Sequence, residues 1–480
     1  MSRMCILAIA VLWACASEEE RRREHRPSVT PTTDPTIPAE VHRALEVSSA
    51  VSDVVPTVHF VNWTADLGRG RVEYGLTPEL GLATPYSDSA EAHERAVLGL
   101  KAGQQYHWRV VHEHEDGTVA TSPIETWSVA APPEAFDPYE LKKSELDRSE
   151  VAGSFLVLSQ NDDETGYAAI VDGDADLVWW AQAEAGQRIT RSRLSLDGSA
   201  VLWSSYEKGN RDANGVIHRL SLDGRSSTKT RAWNQHHDFV EREDGTLAFL
   251  SFEYEVHDVD NESMDVASDV IRIAPEGFDE EREYDRVFSF FADYPHAPWW
   301  SCSHMSLNGS FIPGYNEWSH SNSIAYEPIE DAYYILPRFF DALLKIDGTT
   351  GDLIWQMGGI HGDFTSDEGP DLLQHAHFSH VWPGGVLLFD NGNHGDQISR
   401  AIEYHWDETD MTVDKAWDYT RADEGYTPHL GDARRLPGGN TLILYSPTGE
   451  LREVDPEGLI VWRAVTAVTA GRVVWVSDIY

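Results

Sequence analysis

The feature that most constrains the fold is a repeated pair of hairpin-like units in the second part of the chain. One unit places a turn and a glycine before an apolar strand, as in LSLDGSAVLWSS, HDFVEREDGTLAFLS, HVWPGGVLLFDNG and ARRLPGGNTLILYS. The other unit places an acidic turn before a tryptophan, as in YAAIVDGDADLVWW, LLKIDGTTGDLIWQ and LREVDPEGLIVWR. Paired hairpins that recur in this way predict a β-propeller, because each four-stranded blade buries its faces only against its neighbours.

Six such pairs can be counted between residues 150 and 480. The sequence therefore predicts an all-β fold with a six-bladed β-propeller over this range, in which the closing segment GRVVWVSDIY completes the first blade. A helical fold is excluded because stretches with a period of 3.6 residues are missing and glycine or proline interrupts almost every apolar run.

Residues 46–132 carry a different pattern of short alternating stretches, which include TVHFVNW, GRVEYGL, RAVLGL and ETWSVA. Turn residues separate these stretches at the spacing of a β-sandwich. The order VEYG, LGLKAGQQYHWRV and ETWSVAAPP resembles a fibronectin type III domain. We expect this small domain to act as a spacer or docking unit and to carry no chemistry.

The N-terminus is predicted to be an export signal. Arg3 is followed by an apolar run that is too short to span a bilayer, and Leu12-Trp13-Ala14-Cys15 resembles a bacterial lipobox. We therefore predict a lipoprotein-type signal peptide at 1–15, lipidation of Cys15 and a disordered tether at 16–45. The alternative is an ordinary A-x-A cleavage site and plain secretion. Either way the protein is expected to be exported, in the periplasm or at the cell surface.

Net charge and cysteine content limit the possible binding partners and disulfides. The 480 residues contain 37 basic and 80 acidic side chains, a formal net charge of −43. Such a surface repels polyphosphate, so a nucleic-acid partner is not expected. Cys302 is the single cysteine beyond the N-terminal region, so the folded domains are predicted to lack an intrachain disulfide.

Histidines recur at related places in the propeller repeats. His237 lies eight residues before Gly245, and His377 lies eight residues before Gly385. His375 is two residues further back and is predicted to share a strand face with His377. His320 opens the first strand of the intervening repeat. Because the innermost strands of a propeller line its channel, three consecutive repeats should deliver an imidazole to one mouth.

Hairpin pairing adds a cation to these imidazoles. The turn in EPIEDA centres near residue 329, which places Arg338 opposite His320. A guanidinium beside imidazoles can bind a tetrahedral oxyanion. Three imidazoles can also hold zinc, with Asp238 and Asp390 as supporting groups, but the charge of Arg338 would oppose a dication. We therefore predict no metal and no cofactor.

A set of ordered segments resembles the bacterial arylsulfate sulfotransferase (arylsulfotransferase) family over roughly residues 150–480. The segments are NQHHDF, WSHSNSIAY, LPRFFDALLKIDGTTGDLIWQMGG, QHAHFSHVWPGGVLLFDNG, SRAIEY and DARRLPGGNTLILYSPTGELREVDPEGLIVW. The resemblance implies a six-bladed propeller that moves a sulfuryl group from a phenolic sulfate ester to a phenol without phosphoadenosine phosphosulfate. In agreement, the sequence contains no G-x-x-x-x-G-K-[ST] nucleotide-binding loop.

The resemblance also implies roles for individual residues. His375 stands in the Q-H motif of the family, whose histidine becomes a sulfohistidine, and is predicted to be the nucleophile. His320 and Arg338 match residues that bind the sulfate oxygens, and His237 is expected to act as acid or base towards the phenolic oxygens. His377 remains an alternative to His375. His236 remains an alternative to His237, and because neighbours on a strand face opposite ways, only one of them is expected to face the channel.

The function that the sequence predicts is ping-pong transfer from an aryl sulfate donor to a phenolic acceptor. Four aromatic side chains flank the histidines and could hold the aromatic ring of a substrate between them, and packing between blades explains them at least as well. They are Trp299, Trp300, Trp318 and Phe378. Two alternatives stay open: a non-catalytic propeller that binds anionic ligands or a protein partner, and a metal-dependent hydrolase.

Overall fold

The computed structural model describes residues 45–162, 165–207, 215–259, 262–279, 284–298, 314–394, 397–420 and 425–480. The predicted signal peptide at 1–15, all but the last residue of the predicted tether, Trp299, Trp300 and Cys302 lie outside these ranges. In the described ranges the chain is almost wholly β, and no helix there combines the length and the apolar character that crossing a bilayer requires.

The N-terminal domain is built from seven strands. They are β1 (Glu46–Val51), β2 (His59–Gly75), β3 (Leu82–Ala83), β4 (Ala90–Val97), β5 (Gln105–His114), β6 (Val119–Thr121) and β7 (Glu125–Ser128).

A long central strand gives this domain its two layers. The first part of β2 pairs with β1 and β4, and after a register shift between Thr64 and Gly68 its second part pairs with β3 and β5. Large apolar side chains such as Trp63 and Trp108 are buried between the layers, at 2% and 0% exposure. The predicted β-sandwich is therefore confirmed.

Six β-sheets arranged as blades form the second domain. Blade one contains β9 (Phe155–Asn161), β10 (Gly166–Asp172), β11 (Leu177–Gln182) and β33 (Ala470–Val476); blade two contains β12 (Gln187–Leu194), β13 (Ala200–Glu207), β14 (Val216–Ser221) and β15 (Ser227–Arg231). Blade three contains β16 (Gln235–Glu241), β17 (Thr246–Val259), β18 (Glu262–Pro275), β19 (Asp285–Ser289) and β20 (Asn316–Glu317).

The remaining three blades continue the same order. Blade four contains β21 (Ser321–Glu327), β22 (Ala332–Pro337), β23 (Ala342–Asp347) and β24 (Leu353–Gly358); blade five contains β25 (Phe378–Trp382), β26 (Gly385–Asp390), β27 (Arg400–Asp407) and β28 (Thr412–Thr420). Blade six contains β29 (Asp432–Arg435), β30 (Thr441–Tyr445), β31 (Glu450–Val454), β32 (Ile460–Val465) and β8 (Glu140–Ser144). Short helices lie at Phe290–Asp293 (α1), Arg338–Phe340 and Ser446–Thr448.

The repeats found in the sequence coincide with hairpins of these blades. The glycine-turn unit forms the inner hairpin, as in β16–β17 and β25–β26, and the acidic-turn unit forms the outer hairpin, as in β23–β24 and β31–β32. The closing segment supplies β33, which pairs with β9 and joins the end of the chain to blade one. The six-bladed propeller is confirmed. Its blade six also uses β8, which lies before residue 150, where the sequence placed the start of the propeller.

The two domains share an apolar cluster, which includes Phe60 and Trp179, and an ion-pair cluster lies at the same junction. Lys101 Nζ lies 3.2, 2.7 and 2.6 Å from the carboxylates of Asp172, Asp174 and Asp176, in the acidic turn of blade one. The backbone N–H of Ala102 donates to the carbonyl of Leu177 at 2.8 Å. The lysine therefore occupies the space among three carboxylates that a cation would otherwise take.

The burial of His218 in blade two gives the stability of the propeller a defined pH dependence. Its ring stacks on Trp203 with centroids 4.9 Å apart, and its Nε2 lies 2.8 Å from Ser205 Oγ. Burial, and then the positive charge of Lys229, lowers the pKa of His218 from 6.5 to about 4. Because the unfolded chain takes up the proton first, the stabilisation is present above pH 6.5 and is lost as the pH falls towards 4.

As the pH falls from about 7.5 to about 5.5, we expect the shifted pKa of His218 alone to lower the free energy of unfolding by about 1 kcal/mol. Asp197, whose pKa is lowered to about 2 by hydrogen bonds from Ser195 and Ser199, loses its contribution only at more acidic pH. Urea unfolding at both ends of this pH range should show a smaller loss of unfolding free energy in His218→Phe than in the wild type. The control variant His107→Gln should lose as much as the wild type. An equal loss in all three proteins would contradict the expectation.

Candidate active site

A cavity of about 940 Å³ opens on the propeller axis, and all six blades contribute to it. The strands and loops of successive blades supply Asn161, Arg188, His237, His320, His377 and Pro428. Arg338 and Arg472 add two guanidinium groups to the wall. A protein of strongly negative net charge thus concentrates positive and titratable groups around one concave site, which suits an anionic ligand.

Three of the four predicted site residues meet in this cavity. The rings of His237 and His320 have centroids 4.9 Å apart, and those of His237 and His377 are 6.3 Å apart. Arg338 lines the same wall. The fourth predicted residue, His375, is not among the residues that line the cavity, and His377 takes the place expected for it.

The backbone explains why His375 is displaced. The first strand of blade five begins at Phe378, and His375 has a φ of 61°, so it lies outside the ladder in a left-handed conformation. Its ring is buried against His394, with centroids 4.5 Å apart, and against Phe339 at 6.0 Å. The predicted shared face of His375 and His377 is therefore wrong, because strand alternation holds only for residues within the ladder.

Both His236 and His237 line the cavity, contrary to the prediction that only one would. The pairing of β16 shifts register between Gln235 and Phe239, and His237 has a φ of 53°, so neighbouring side chains no longer face opposite ways. The rings lie with their Nδ1 atoms 2.8 Å apart.

A chain of contacts leads from His237 into the core. His236 Nε2 lies 3.1 Å from Asp269 Oδ1, and Phe252 stacks on the His236 ring at a centroid distance of 3.8 Å. Burial raises the pKa of Asp269, but contacts with His236 and Ser321 outweigh this and leave it lowered. The ionised carboxylate places a proton on His236 Nε2, so His236 Nδ1 accepts from Nδ1–H of His237. His237 lines the cavity, so its ring is placed to exchange a proton with a ligand there.

His320 and Arg338 lie side by side, as the hairpin pairing predicted. Ser321 is opposite Pro337 in the β21–β22 ladder, and the backbone N–H of Arg338 donates to the carbonyl of His320 at 3.0 Å. His320 Nδ1 donates to the buried carboxylate of Glu317 at 2.8 Å. Its Nε2 is therefore the nitrogen that can contact a ligand in the cavity.

The tautomer of His377 follows from its partner Asn391. The amide NH₂ of Asn391 donates to the carbonyls of Thr427 and Leu430, at 2.6 and 2.9 Å. Its Oδ1 must then accept, and it lies 2.9 Å from Nδ1 of His377. Nδ1 therefore carries the proton of the neutral ring, and Nε2 carries the lone pair.

The surroundings of His377 also hold it in the neutral form. The side chain is 3% exposed. Burial, and then the positive charges of Arg338 and Arg472, keep the pKa of His377 well below its ordinary value of 6.5. A neutral imidazole with a lone pair on Nε2 is a nucleophile at neutral pH.

Arginines close the channel beneath the cavity. The guanidinium carbons of Arg191, Arg434 and Arg472 lie 5.3, 5.2 and 5.0 Å from the centroid of the Phe378 ring. Arg472 Nη1 lies 3.7 Å from the buried carboxylate of Asp238, and its Nη2 donates to the carbonyls of Asn322 and His377, the latter at 3.4 Å. The channel floor is thus a packed, charged layer.

Packing and ion pairs account for several residues that the sequence offered as ligand-flanking or metal-supporting groups. Phe378 packs in the floor among the arginines, so it does not flank a ligand ring. Trp318 is fully buried, with Phe290 and Phe340 around it, so packing accounts for it as well. Asp238 and Asp390 pair with arginines, Asp390 with Arg400 at 3.0 Å.

The apolar part of the cavity comes from residues that the sequence did not single out. They are Ile189, Tyr206, Tyr426, Pro428, Leu430 and Val468. Arg188, His429 and Arg472 were missed as well. Most of these residues lie in loops between blades, where no strand period marks an inward position. Arg472 carried a signal, as a cation inside the closing strand.

Comparison with known proteins identifies the family. The family model "Arylsulfotransferase (ASST)" matches residues 142–461, which is more than half of the chain. The chain belongs to the arylsulfotransferase family. Membership supports aryl sulfate sulfotransferase activity in general terms, with small-molecule substrates.

Solved structures resemble this arylsulfotransferase-family chain only distantly. A protein of unknown function from Bacteroides caccae is 12% identical, with 68% of this chain and 99% of that chain covered and a TM-score of 0.42. A putative 6-phosphogluconolactonase from Bacteroides uniformis is 11% identical, with 86% and 100% covered and a TM-score of 0.38. No curated protein matches the chain. With TM-scores below 0.5, these two structures carry no argument about function.

Proposed function

We propose that the protein transfers a sulfuryl group from an aryl sulfate to a phenol by a ping-pong mechanism, with His377 as the nucleophile and without phosphoadenosine phosphosulfate. The observation that carries the proposal is the convergence of His237, His320, Arg338 and His377 on one cavity, in which His377 is neutral with its lone pair on Nε2. The proposal moves the nucleophile from His375, the residue predicted from sequence, to His377.

In the first half-reaction, Nε2 of His377 attacks the sulfur of the bound aryl sulfate. An N–S bond forms while the S–O bond to the phenolic oxygen breaks, and the electron pair leaves with that oxygen. His237 Nε2, protonated at this stage, gives its proton to the departing phenolate, and the Asp269–His236 pair stabilises the charge on this imidazole. A covalent intermediate divides one difficult transfer into two easier displacements.

The guanidinium of Arg338 stabilises charge on the three non-bridging sulfuryl oxygens. Arg338 and His320 come from adjacent positions of one hairpin, and both face the cavity beside His377. Groups that are already aimed at a developing charge in a water-poor site are among the largest contributors to catalysis. Arg472 adds positive charge from the floor.

In the second half-reaction, a phenolic acceptor replaces the product. His237 Nε2 takes the phenol proton, the phenolate oxygen attacks the sulfur, and the N–S bond breaks and returns the lone pair to His377. Tyr206, Tyr426 and Leu430 provide apolar and aromatic surface for the ring of donor and acceptor in turn. One cavity can serve both substrates because they bind in succession.

A colorimetric assay with 4-nitrophenyl sulfate tests the proposal directly. We expect nitrophenol release to depend on an added acceptor phenol, and the sulfated acceptor to form in equal amount. The proposed steps use only side chains, so chelator should not abolish the acceptor-dependent release, as it would for a metal-dependent hydrolase. Release that needs no acceptor would indicate a sulfatase, and no release at all would favour a non-catalytic anion-binding propeller.

The exported, lipid-anchored location proposed from Cys15 stays a prediction, since residues 1–15 lie outside the described ranges.

A further inference from the structure

A second group of ligating side chains lies beside the cavity, outside the residues that form its wall. Asp341 ends the short helical turn that begins at Arg338, His375 lies in the loop before β25, and His394 follows β26. One ligand atom from each of these side chains lies within 4.8 Å of the other two. His375 is fully buried, and the other two are partly buried.

The distances in this group fit a metal ion. His394 Nε2 lies 3.0 Å from Asp341 Oδ2, and the rings of His375 and His394 have centroids 4.5 Å apart. A metal bound at about 2.1 Å by imidazole nitrogen and carboxylate oxygen separates neighbouring ligand atoms by about 3.0 to 3.4 Å. The first pair already has this separation, and the ligand atom of His375 lies within 4.8 Å of both.

The backbone holds the ligands in place before any ion binds. Asp341 Oδ1 accepts the backbone N–H of His375 at 2.6 Å, which turns the other carboxylate oxygen towards His394. Gly392 N–H donates to the carbonyl of Gln374 at 3.1 Å and ties the two loops together. Asp341 and His375 also have φ values of 51° and 61°, a conformation that is uncommon outside glycine and often marks a functional position.

A nearby carboxylate distinguishes this group from the cavity histidines, and it acts against the charge of Arg338, which reaches His394 as well. The cavity imidazoles share their space with the guanidinium groups of Arg338 and Arg472, which would oppose a dication. Here a carboxylate oxygen of Asp341 lies within 4.8 Å of a nitrogen of each imidazole. Two imidazoles and one carboxylate are a common ligand set for zinc and other divalent first-row transition metals.

We propose that Asp341, His375 and His394 form a binding site for one divalent transition-metal ion, with Zn²⁺ as the best-suited member of the class. Asp341 is three residues from Arg338, and His375 is two residues from His377. The ion would join the turn of blade four that carries the anion-binding guanidinium to the loop of blade five that carries the nucleophile. Its role is structural, and no transfer step passes through it.

Zinc titration of the untagged, chelator-treated full chain tests this site without any turnover. We expect one equivalent of Zn²⁺ to bind, with a rise in Tm, and Co²⁺ to give a visible absorption band in its place. His394→Gln should weaken the affinity by at least about tenfold and remove the Co²⁺ band. Its side chain is 35% exposed, so this variant is expected to fold.

The control is Asp174→Asn, in the carboxylate cluster that Lys101 already occupies, and it should bind Zn²⁺ like the wild type. Stoichiometric zinc affinity unchanged in His394→Gln, or no stoichiometric binding in the wild type, would overturn the proposal. Because metal content and Tm are measured without substrate, these results are independent of whether the protein transfers sulfuryl groups.

Discussion

Replacing His377 by alanine is expected to lower kcat for aryl-sulfate turnover by at least about a thousandfold, because the chain loses the nitrogen that accepts the sulfuryl group. Its neutral ring, with Nδ1–H directed to Asn391, is the basis of this expectation. Steady-state kinetics with 4-nitrophenyl sulfate and a phenol acceptor measure the change. Circular dichroism and Tm show whether the variant keeps the wild-type fold.

Trapping the covalent intermediate shows whether His377 or His375 carries the sulfuryl group. In the absence of acceptor, wild-type protein quenched in alkali should carry one added sulfuryl group, since sulfohistidine is labile in acid. Fragmentation of the peptide that contains both residues locates the group, which we expect on His377. An adduct on His375, together with an active His377→Ala variant, would remove His377 from the mechanism and restore the assignment made from the sequence.

The fold was predictable because propeller hairpins repeat in the sequence. Each inner hairpin needs a glycine turn followed by an apolar strand, so the period of the repeat indicates the blades directly. The same regularity fixed one contact of the site. His320 and Arg338 are placed by the register of a single hairpin, and counting from the turn near residue 329 gave their pairing.

The choice among histidines was not predictable, because it depends on backbone that leaves the strand. His237, His320 and His375 have φ values of 53°, 54° and 61°, although none is glycine. A left-handed residue turns the side chain out of the alternating pattern, so two-residue spacing no longer reports a shared face. The tautomer of His377 could not be predicted either, because Asn391 is oriented by carbonyls in the loop between blades five and six.

Two variants of Arg338 should distinguish the contribution of its positive charge to catalysis from the contribution of its planar geometry. We expect Arg338→Gln to lower kcat/KM for aryl sulfate by about a hundred- to a thousandfold, the cost of removing one positioned donor to the sulfuryl oxygens. Arg338→Lys keeps the positive charge but loses the planar fork that matches two oxygens, so its rate should also fall, by a smaller factor.

The pH dependence of kcat/KM in the same variants tests whether Arg338 also lowers the pKa of His377. The charge of Arg338 helps to hold the pKa of His377 well below 6.5, after burial, which is the larger cause. His377 attacks only when unprotonated, so the acidic limb of kcat/KM lies at the pKa of this ring in the free enzyme. Arg338→Gln removes a like charge and should move that limb to higher pH, whereas Arg338→Lys should leave it near the wild-type position. Identical limbs in all three proteins would show that Arg338 does not act on the nucleophile.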